Sequence, residues 1–173
     1  MRQRARGFNL IELMVVLGIM GIILAMSAPQ LEQMINNNRI STAASDLLTD
    51  FTFARATAVT RGQWIGICAS SDQAGCTAAT TWGTGRIVYV DANRNGTFDA
   101  GDTILRVRDT LSGGLTLAPT TAGANLYFRP SGPSGPSTTN TFRLCRSAYK
   151  GRDIVISATG RVNSVAHTTT SCP

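Results

Sequence analysis

The stretch RGFNLIELMVVLGIMGIILAMSAP, residues 6–29, joins an arginine to a long apolar run that contains one carboxylate. Between Phe8 and Ala28 the only charged residue is Glu12. At about 1.5 Å of rise per residue, a helix of this length spans a hydrocarbon core of roughly 30 Å. A charged carboxylate at that depth costs free energy, so such a residue usually has an oppositely charged partner or a functional role. The stretch therefore predicts an N-terminal membrane helix in which Glu12 has a function.

The apolar run allows three interpretations. It is typical of a plain transmembrane anchor and of a secretory signal peptide cut after Ala28, but neither explains Glu12. Arg2, Arg4 and Arg6 precede the run and no arginine lies within it, which predicts a cytoplasmic N-terminus and a periplasmic remainder. The third interpretation is a processed filament subunit, and the residues around position 7 favour it.

The processing site is the most specific motif in the chain. It resembles that of the type IV pilin and pseudopilin superfamily in the residues Gly7, Phe8, Leu10, Ile11, Glu12, Leu13 and Met14. The resemblance implies that prepilin peptidase removes a leader, residues 1–7, and that the new N-terminal Phe8 is N-methylated. Glu12 then matches the acidic fifth position of the family, and Pro29 matches its helix-bending proline. Asn9 stands where threonine is commoner.

Cleavage before Phe8 gives Glu12 a physical role. It creates a charged amine at the end of an apolar helix. In a filament of stacked helices, Glu12 of one subunit can pair with the Phe8 amine of its neighbour, and two charges that are costly alone become tolerable together. We therefore predict that Glu12 is an assembly residue that sets the axial register.

Beyond Pro29 a helical pattern continues. Apolar residues recur at spacings of three and four, which predicts a stripe on one helix face. The stripe consists of Ile40, Ala44, Leu47, Phe51, Ala54 and Ala58. Gly62 is a typical helix stop, and the polar run NNNR at 36–39 does not break the pattern. We expect one helix from Phe8 to about Arg61, kinked near Pro29.

The remainder of the chain is rich in short β-type runs separated by turn residues. They lie at 64–68, 86–90, 104–108, 115–118, 126–128, 142–145 and 153–157, with a last strand after a hairpin turn at 158–162. This predicts an α+β fold, a long N-terminal helix packed on a C-terminal antiparallel β-sheet domain. We expect a leader at 1–7, a transmembrane helix at 8–28, its amphipathic continuation at 29–62 and a globular domain at 63–173. The Pro/Gly/Ser stretch 129–140 is expected to be an exposed, mobile loop.

The stretch LLTDFTFARATAVTRG, residues 47–62, resembles the GspH/FimT/FimU group of minor pilins and pseudopilins. The resemblance implies a structural subunit of a type IV pilus or of a type II secretion pseudopilus. It also implies contacts with other pilins, a position at or near the filament tip, and a single-pass location in the inner membrane before assembly. The extracellular filament is the final location of a pilus subunit.

The four cysteines all follow the apolar run. An even number after an export-type segment favours two disulfides in an oxidising compartment. No C-x-x-C pair occurs, so a zinc site is not expected. Three pairings are open, and we favour Cys68–Cys76 and Cys145–Cys172 because the first closes a short loop and the second pins a polar tail. Four cysteines also favour a pilus subunit over the secretion-system subunit.

The stretch DANRNGTFDAGD, residues 91–102, matches the spacing of a calcium loop. The ligand positions are occupied by Asp91, Asn93, Asn95, Asp99 and Asp102. The last position is Asp rather than Glu, and strands rather than helices flank the loop. The alternative is a hairpin loop whose Asx side chains bond to their own backbone. Calcium is the only cofactor that the sequence suggests.

A basic bias in the last third of the chain suggests DNA as a partner. It consists of Arg143, Arg146, Lys150, Arg152 and Arg161. Some FimT-type pilins bind DNA during natural transformation through a C-terminal GRxR element, and the matching residues here are Gly160, Arg161, Val162 and Asn163. The second arginine is absent, which removes a phosphate contact. The alternative to a pilus-borne DNA receptor is a solvated β-hairpin.

Composition adds little support for DNA binding or for catalysis. The formal charge is +6, and loss of the leader with Arg2, Arg4 and Arg6 would lower it to +3. The single histidine, His167, lies in a polar tail, and no nucleophile elbow or phosphate-binding loop occurs. Trp64 and Trp82 are expected to pack in the core or at a sheet edge. We do not expect an enzyme.

Overall fold

The structure, a computed structural model, describes residues 9–77, 82–120, 125–132, 134–135, 139–147, 149 and 151–167, without the side chains of 26–29 and 134. This part of the chain forms one helix, one 3-10 turn (Trp82–Thr84) and nine strands. They are α1 (Leu10–Arg61), β1 (Trp64–Ala69), β2 (Arg86–Asp91), β3 (Thr103–Arg108), β4 (Thr116–Pro119), β5 (Asn125–Phe128), β6 (Ser134–Gly135), β7 (Asn140–Cys145), β8 (Arg152–Ile156) and β9 (Val162–Ala166).

Helix α1 begins and ends on residues suited to those positions. Asn9 caps its start: the side-chain oxygen accepts from the backbone N–H of Ile11 at 3.4 Å. At the other end Gly62 adopts a φ of 65°, a left-handed conformation that glycine takes at little cost. The end at Arg61 agrees with the prediction. Residue 29 lies inside the helix, but the Pro29 side chain lies outside the described residues and the expected kink stays a prediction.

The chain divides into two compact units, residues 1–36 and 37–173. In the first unit, every described residue of α1 from Leu10 to Ala25 is exposed. This part of the helix is long and apolar enough to cross a membrane, judged by length and composition. Exposed apolar surface on this scale requires a lipid or protein environment to cover it.

The predicted α+β fold, a long N-terminal helix and a C-terminal antiparallel β domain, is confirmed. The β strands of the second unit form two antiparallel sheets. One has the strand order β3-β2-β1-β5-β6, and the other has the order β4-β7-β8-β9. Neighbours such as β1–β2 and β7–β8 follow one another directly in the order of strands along the chain. The remaining pairings join strands that are distant in sequence, as β1 with β5 and β4 with β7. Only the local pairings follow from turn signals in the sequence.

The core of the second unit forms around the predicted stripe of α1. All six stripe residues are at most 2% exposed, which confirms the prediction. The Phe51 ring lies 6.1 Å from that of Trp82 and 5.2 Å from that of Phe142. Trp82 is fully buried, whereas Trp64 is half-buried at the start of β1 and stacks on Tyr127 at 5.0 Å. Both tryptophans therefore pack as expected.

The expectation of an exposed loop over 129–140 is wrong in part. Ser134–Gly135 forms β6 and pairs with Tyr127 and Phe128 of β5. Gly132 and Gly135 are buried. The Tyr127 ring lies against Gly135, where a side chain would overlap it. A glycine beneath a distant aromatic ring leaves no periodic pattern in the sequence, so the short strand was missed.

Candidate functional site

Glu12 lies in the first turn of α1, where the helix dipole favours negative charge. Its side chain is exposed, as are those of Leu10, Ile11, Leu13 and Met14 around it. Within the described residues Glu12 forms no ion pair. Gly7 and Phe8, the predicted processing site and source of the partner amine, lie outside those residues. The roles of Gly7, Phe8 and Glu12 stay predictions.

A cluster that no sequence motif indicated centres on Asp50 of α1, whose side chain is fully buried. Arg86 of β2 donates from Nε to Asp50 Oδ2 at 2.8 Å and from Nη2 at 2.6 Å. Arg106 Nη1 lies 3.1 Å from Oδ1, and Arg108 Nε lies 3.1 Å from both oxygens. One carboxylate thus holds three guanidinium groups and ties α1 to two strands of the first sheet. Burial lowers the pKa of Arg86, and the charge of Asp50 opposes that effect.

One signal could have revealed this cluster. Asp50 lies three residues after Leu47 and four before Ala54, so it shares the buried face of the helix. An acid at such a position needs buried partners. The identity of those partners depends on the strand pairing, which the sequence alone does not provide.

The predicted disulfide Cys68–Cys76 is present. Cys68 is buried at the end of β1, and the bond closes a loop around Asp72. Asp72 Oδ1 accepts from the backbone N–H groups of Ala74 at 3.0 Å and Gly75 at 3.1 Å. These hydrogen bonds lower the pKa of Asp72.

Cys145, the last residue of β7, is buried and is also disulfide-bonded. Cys172 lies outside the described residues. The pairing Cys145–Cys172 therefore stays a prediction.

The candidate calcium loop, residues 91–102, is folded on its own hydrogen bonds. Asp91 Oδ2 accepts from the Gly96 N–H at 2.8 Å, and Asp99 Oδ2 accepts from Asn93 Nδ2 at 2.8 Å and from Asn95 Nδ2 at 2.5 Å. The two asparagine side chains lower the pKa of Asp99.

Two further observations bear on calcium. Asp102 accepts from the Ala92 and Asp99 N–H groups, both at 2.9 Å. In the part of the chain that the structure describes, no group of three or more His, Cys, Asp or Glu residues is placed to hold a metal. The geometry is that of an Asx-rich hairpin loop. Calcium binding stays a prediction, which calorimetry on the full chain and on Asp91→Asn/Asp99→Asn would test.

The basic residues of the second sheet do not share one face. Arg143 of β7 lies opposite Asp153 of β8 and donates to it, with Nε 3.1 Å from Oδ1. His167 Nδ1 lies 3.1 Å from the other oxygen of the same carboxylate. Arg152 precedes Asp153, so it points to the opposite face, where Nη1 donates to Ser164 Oγ at 3.5 Å. The charge of Arg143 is thus partly neutralised.

The other candidate DNA contacts lie in connecting segments. The Arg146 guanidinium lies over the Tyr149 ring at 5.4 Å from its centroid. Arg161 is exposed in the turn between β8 and β9, at the opposite end of β8 from Arg152. Lys150 lies outside the described residues. DNA binding by these side chains stays a prediction.

The sequence and this fold match known families. Residues 43–160 match the family described as "Type II transport protein GspH", which covers more than half of the chain, and residues 2–28 match the "Prokaryotic N-terminal methylation motif". The chain belongs to the GspH family. It is a minor pilin or pseudopilin, and members of this group are structural subunits rather than enzymes.

Solved minor pilins share the fold. The type IV minor pilin FimU of Pseudomonas aeruginosa superposes with a TM-score of 0.60 at 26% identity, over 78% of this chain and 97% of that chain. The minor pseudopilin EpsH of the Vibrio cholerae type 2 secretion system gives a TM-score of 0.52 at 14% identity, over 74% of this chain and 97% of that chain. The second likeness concerns the fold alone.

A curated relative matches over a shorter range. The pilin-like protein PilA1 of Thermus thermophilus is 34% identical over 97 residues, which cover 56% of this chain and 55% of that protein. The chain therefore matches about half the length of this relative.

Proposed function

We propose that this GspH-family protein is a minor subunit near the tip of a type IV pilus or type II secretion pseudopilus. In this proposal it is inserted in the inner membrane with its N-terminus in the cytoplasm, and prepilin peptidase cuts it before Phe8. The globular unit then contacts other minor subunits, and the apolar half of α1 enters the filament core.

The observation that carries the proposal is Glu12 on the exposed apolar part of α1. The residues around it match the N-terminal methylation motif. An ionised carboxylate in an apolar environment requires an opposite charge, because desolvation otherwise costs several kcal/mol or more. Cleavage before Phe8 supplies that charge as an amine on a neighbouring subunit. Pairing of Glu12 with this amine therefore favours one axial register.

The substitution Glu12→Gln tests the role of the charge and keeps the shape of the side chain. We expect the amount of the protein in sheared filaments to fall at least tenfold, while the amount in the membrane is unchanged. Glu32→Gln is the matched control, since Glu32 is an exposed acid on the same helix beyond the apolar run. Equal recovery of wild type and Glu12→Gln in filaments would contradict the proposal.

A further inference from the structure

A surface cavity of about 440 Å³ lies in the unit of residues 37–173, between α1 and the segment that follows β3. Its charged lining consists of Arg39, Asp46, Arg86, Arg108 and Asp109. The cavity adjoins the Asp50 cluster, because Arg86 and Arg108 belong to both. All of the residues that line the cavity belong to the unit of residues 37–173.

Two guanidinium groups of this cavity keep free donors. Arg108 donates from Nε to Asp50, and its Nη nitrogens have no acceptor among the described residues. Arg39 is exposed and forms no hydrogen bond or ion pair with any residue that the structure describes. It lies against Gly113, where a Cβ would come within 3.0 Å of Arg39 Nη1. The absence of a side chain at Gly113 therefore leaves room for this guanidinium at the cavity wall.

Three arginines and two aspartates line the cavity, a formal excess of one positive charge, which favours an anion. Asp50 neutralises only one of the three arginines that it binds, and both of its oxygens already accept hydrogen bonds. The Asp109 carboxylate accepts from the side chain of Gln73. Asp46 and Asp109 both keep a negative charge, since the Gln73 amide is neutral, and both oppose anion binding.

We propose that this cavity binds a carboxylate to which Arg39 and Arg108 both donate. Planar guanidinium groups match carboxylate oxygens in geometry, and such charge-assisted hydrogen bonds are about twice as strong as neutral ones. The carboxylate is an acidic side chain of a neighbouring filament subunit. This source rests on the proposed function, whereas the binding site itself does not.

Glutarate, whose carboxylates resemble that of a glutamate side chain, is the probe for the site. The full chain is labelled with ¹⁵N-arginine in non-ionic detergent and titrated with sodium glutarate against sodium chloride of equal ionic strength. We expect the Nε–H signals of Arg39 and Arg108 to shift and saturate, with a Kd on the order of millimolar. Absence of any shift beyond that caused by chloride would overturn the proposal.

Four variants test the assignment through their effects on the affinity for glutarate. Arg39→Gln and Arg108→Lys, which keeps a charge beside Asp50, should each weaken glutarate binding about tenfold. Asp46→Asn should strengthen it about threefold, because it removes a like charge from a partly screened site. Arg61→Gln, at the end of α1 and outside the cavity, should have no effect. Wild-type affinity in Arg39→Gln, or no gain in Asp46→Asn, would contradict the assignment.

Filament recovery tests the source of the carboxylate. Arg39→Glu should lower the amount of protein in sheared filaments at least tenfold, and Arg61→Glu should not. Glutarate binding together with wild-type recovery of Arg39→Glu would overturn the subunit as the source. If the wild-type protein is absent from filaments, the proposed function and the source fail, and a positive glutarate result still establishes the site. If wild type assembles and glutarate does not bind, the inference alone fails.

Discussion

Asp50 shows how one residue decides the packing between a helix and a sheet. Its buried carboxylate accepts hydrogen bonds from Arg86, Arg106 and Arg108, so it fixes the position of α1 against β2 and β3. Removing one member of a buried ion pair leaves the other charge without compensation, and this usually costs more than the pair contributed.

We predict that Asp50→Asn lowers the free energy of unfolding of the globular unit by about 3–5 kcal/mol. Urea unfolding of the full chain, followed by near-UV circular dichroism, measures this change. Asp46→Asn is the matched control, one turn earlier on the same helix and exposed, and it should change stability by about 0.5 kcal/mol or less. Equal stability of the two variants would show that the cluster is not a stabilising contact.

A second prediction concerns the pH dependence of the free energy of unfolding and depends on Tyr89. Burial, with the nearby carboxylates of Asp91, Asp102 and Asp99, raises the pKa of Tyr89 above its usual value near 10. An acid whose pKa is raised on folding stabilises the protein below its unfolded pKa. That contribution is lost as the pH rises through the unfolded value and beyond, because the unfolded chain releases the proton first.

Tyr89→Phe should therefore lessen the loss of stability between pH 9 and about pH 11, a range set by the usual tyrosine pKa. At pH 7 it should cost less than about 1 kcal/mol, because the Tyr89 hydroxyl has no hydrogen-bond partner among the described residues. Urea unfolding at about pH 7, 9 and 11 tests this. Tyr127→Phe is the control and should keep the wild-type loss, since Tyr89 remains. An unchanged alkaline loss in Tyr89→Phe would refute the assignment.

At the scale of elements, local signals predicted most of what the structure shows. The stripe, the glycine stop and the turn clusters predicted α1 and eight of the nine strands. The pairing β1–β5 and the strand β6 were not predicted, because both depend on contacts between distant segments. The assembly role of Glu12 rests on a local motif and stays a prediction, whereas the Asp50 cluster depends on the pairing of β2 with β3.

Phe51 and Phe53 of α1 differ in burial, so we expect them to differ in their contribution to stability. Phe51→Ala should lower the free energy of unfolding by about 3–5 kcal/mol, because it leaves a cavity beside Trp82 and Phe142. Phe53→Ala should cost about 1 kcal/mol, since that ring is only half-buried at the edge of the core, with the Arg106 guanidinium 4.0 Å from its centroid. Urea unfolding of both variants measures the difference. Equal losses would contradict the assignment of the stripe as the core.

At the scale of the whole molecule, the question is whether the globular unit builds filaments or also binds DNA. The candidate DNA contacts Arg143 and Arg152 lie on opposite faces of one sheet, and Arg143 is paired with Asp153. A structural subunit with this arrangement should give no mobility shift of duplex DNA that depends on Arg161. A shift that weakens steeply with salt and is lost in Arg161→Ala would instead establish a DNA receptor.

We predict that this subunit enters a filament through a charge that processing creates. Mass spectrometry of the N-terminal peptide, from protein recovered in sheared filaments, measures that event directly. The result expected is a chain that starts at an N-methylated Phe8 and has lost Met1–Gly7. A filament-borne chain with its first seven residues still attached, or cut at another bond, would contradict the account.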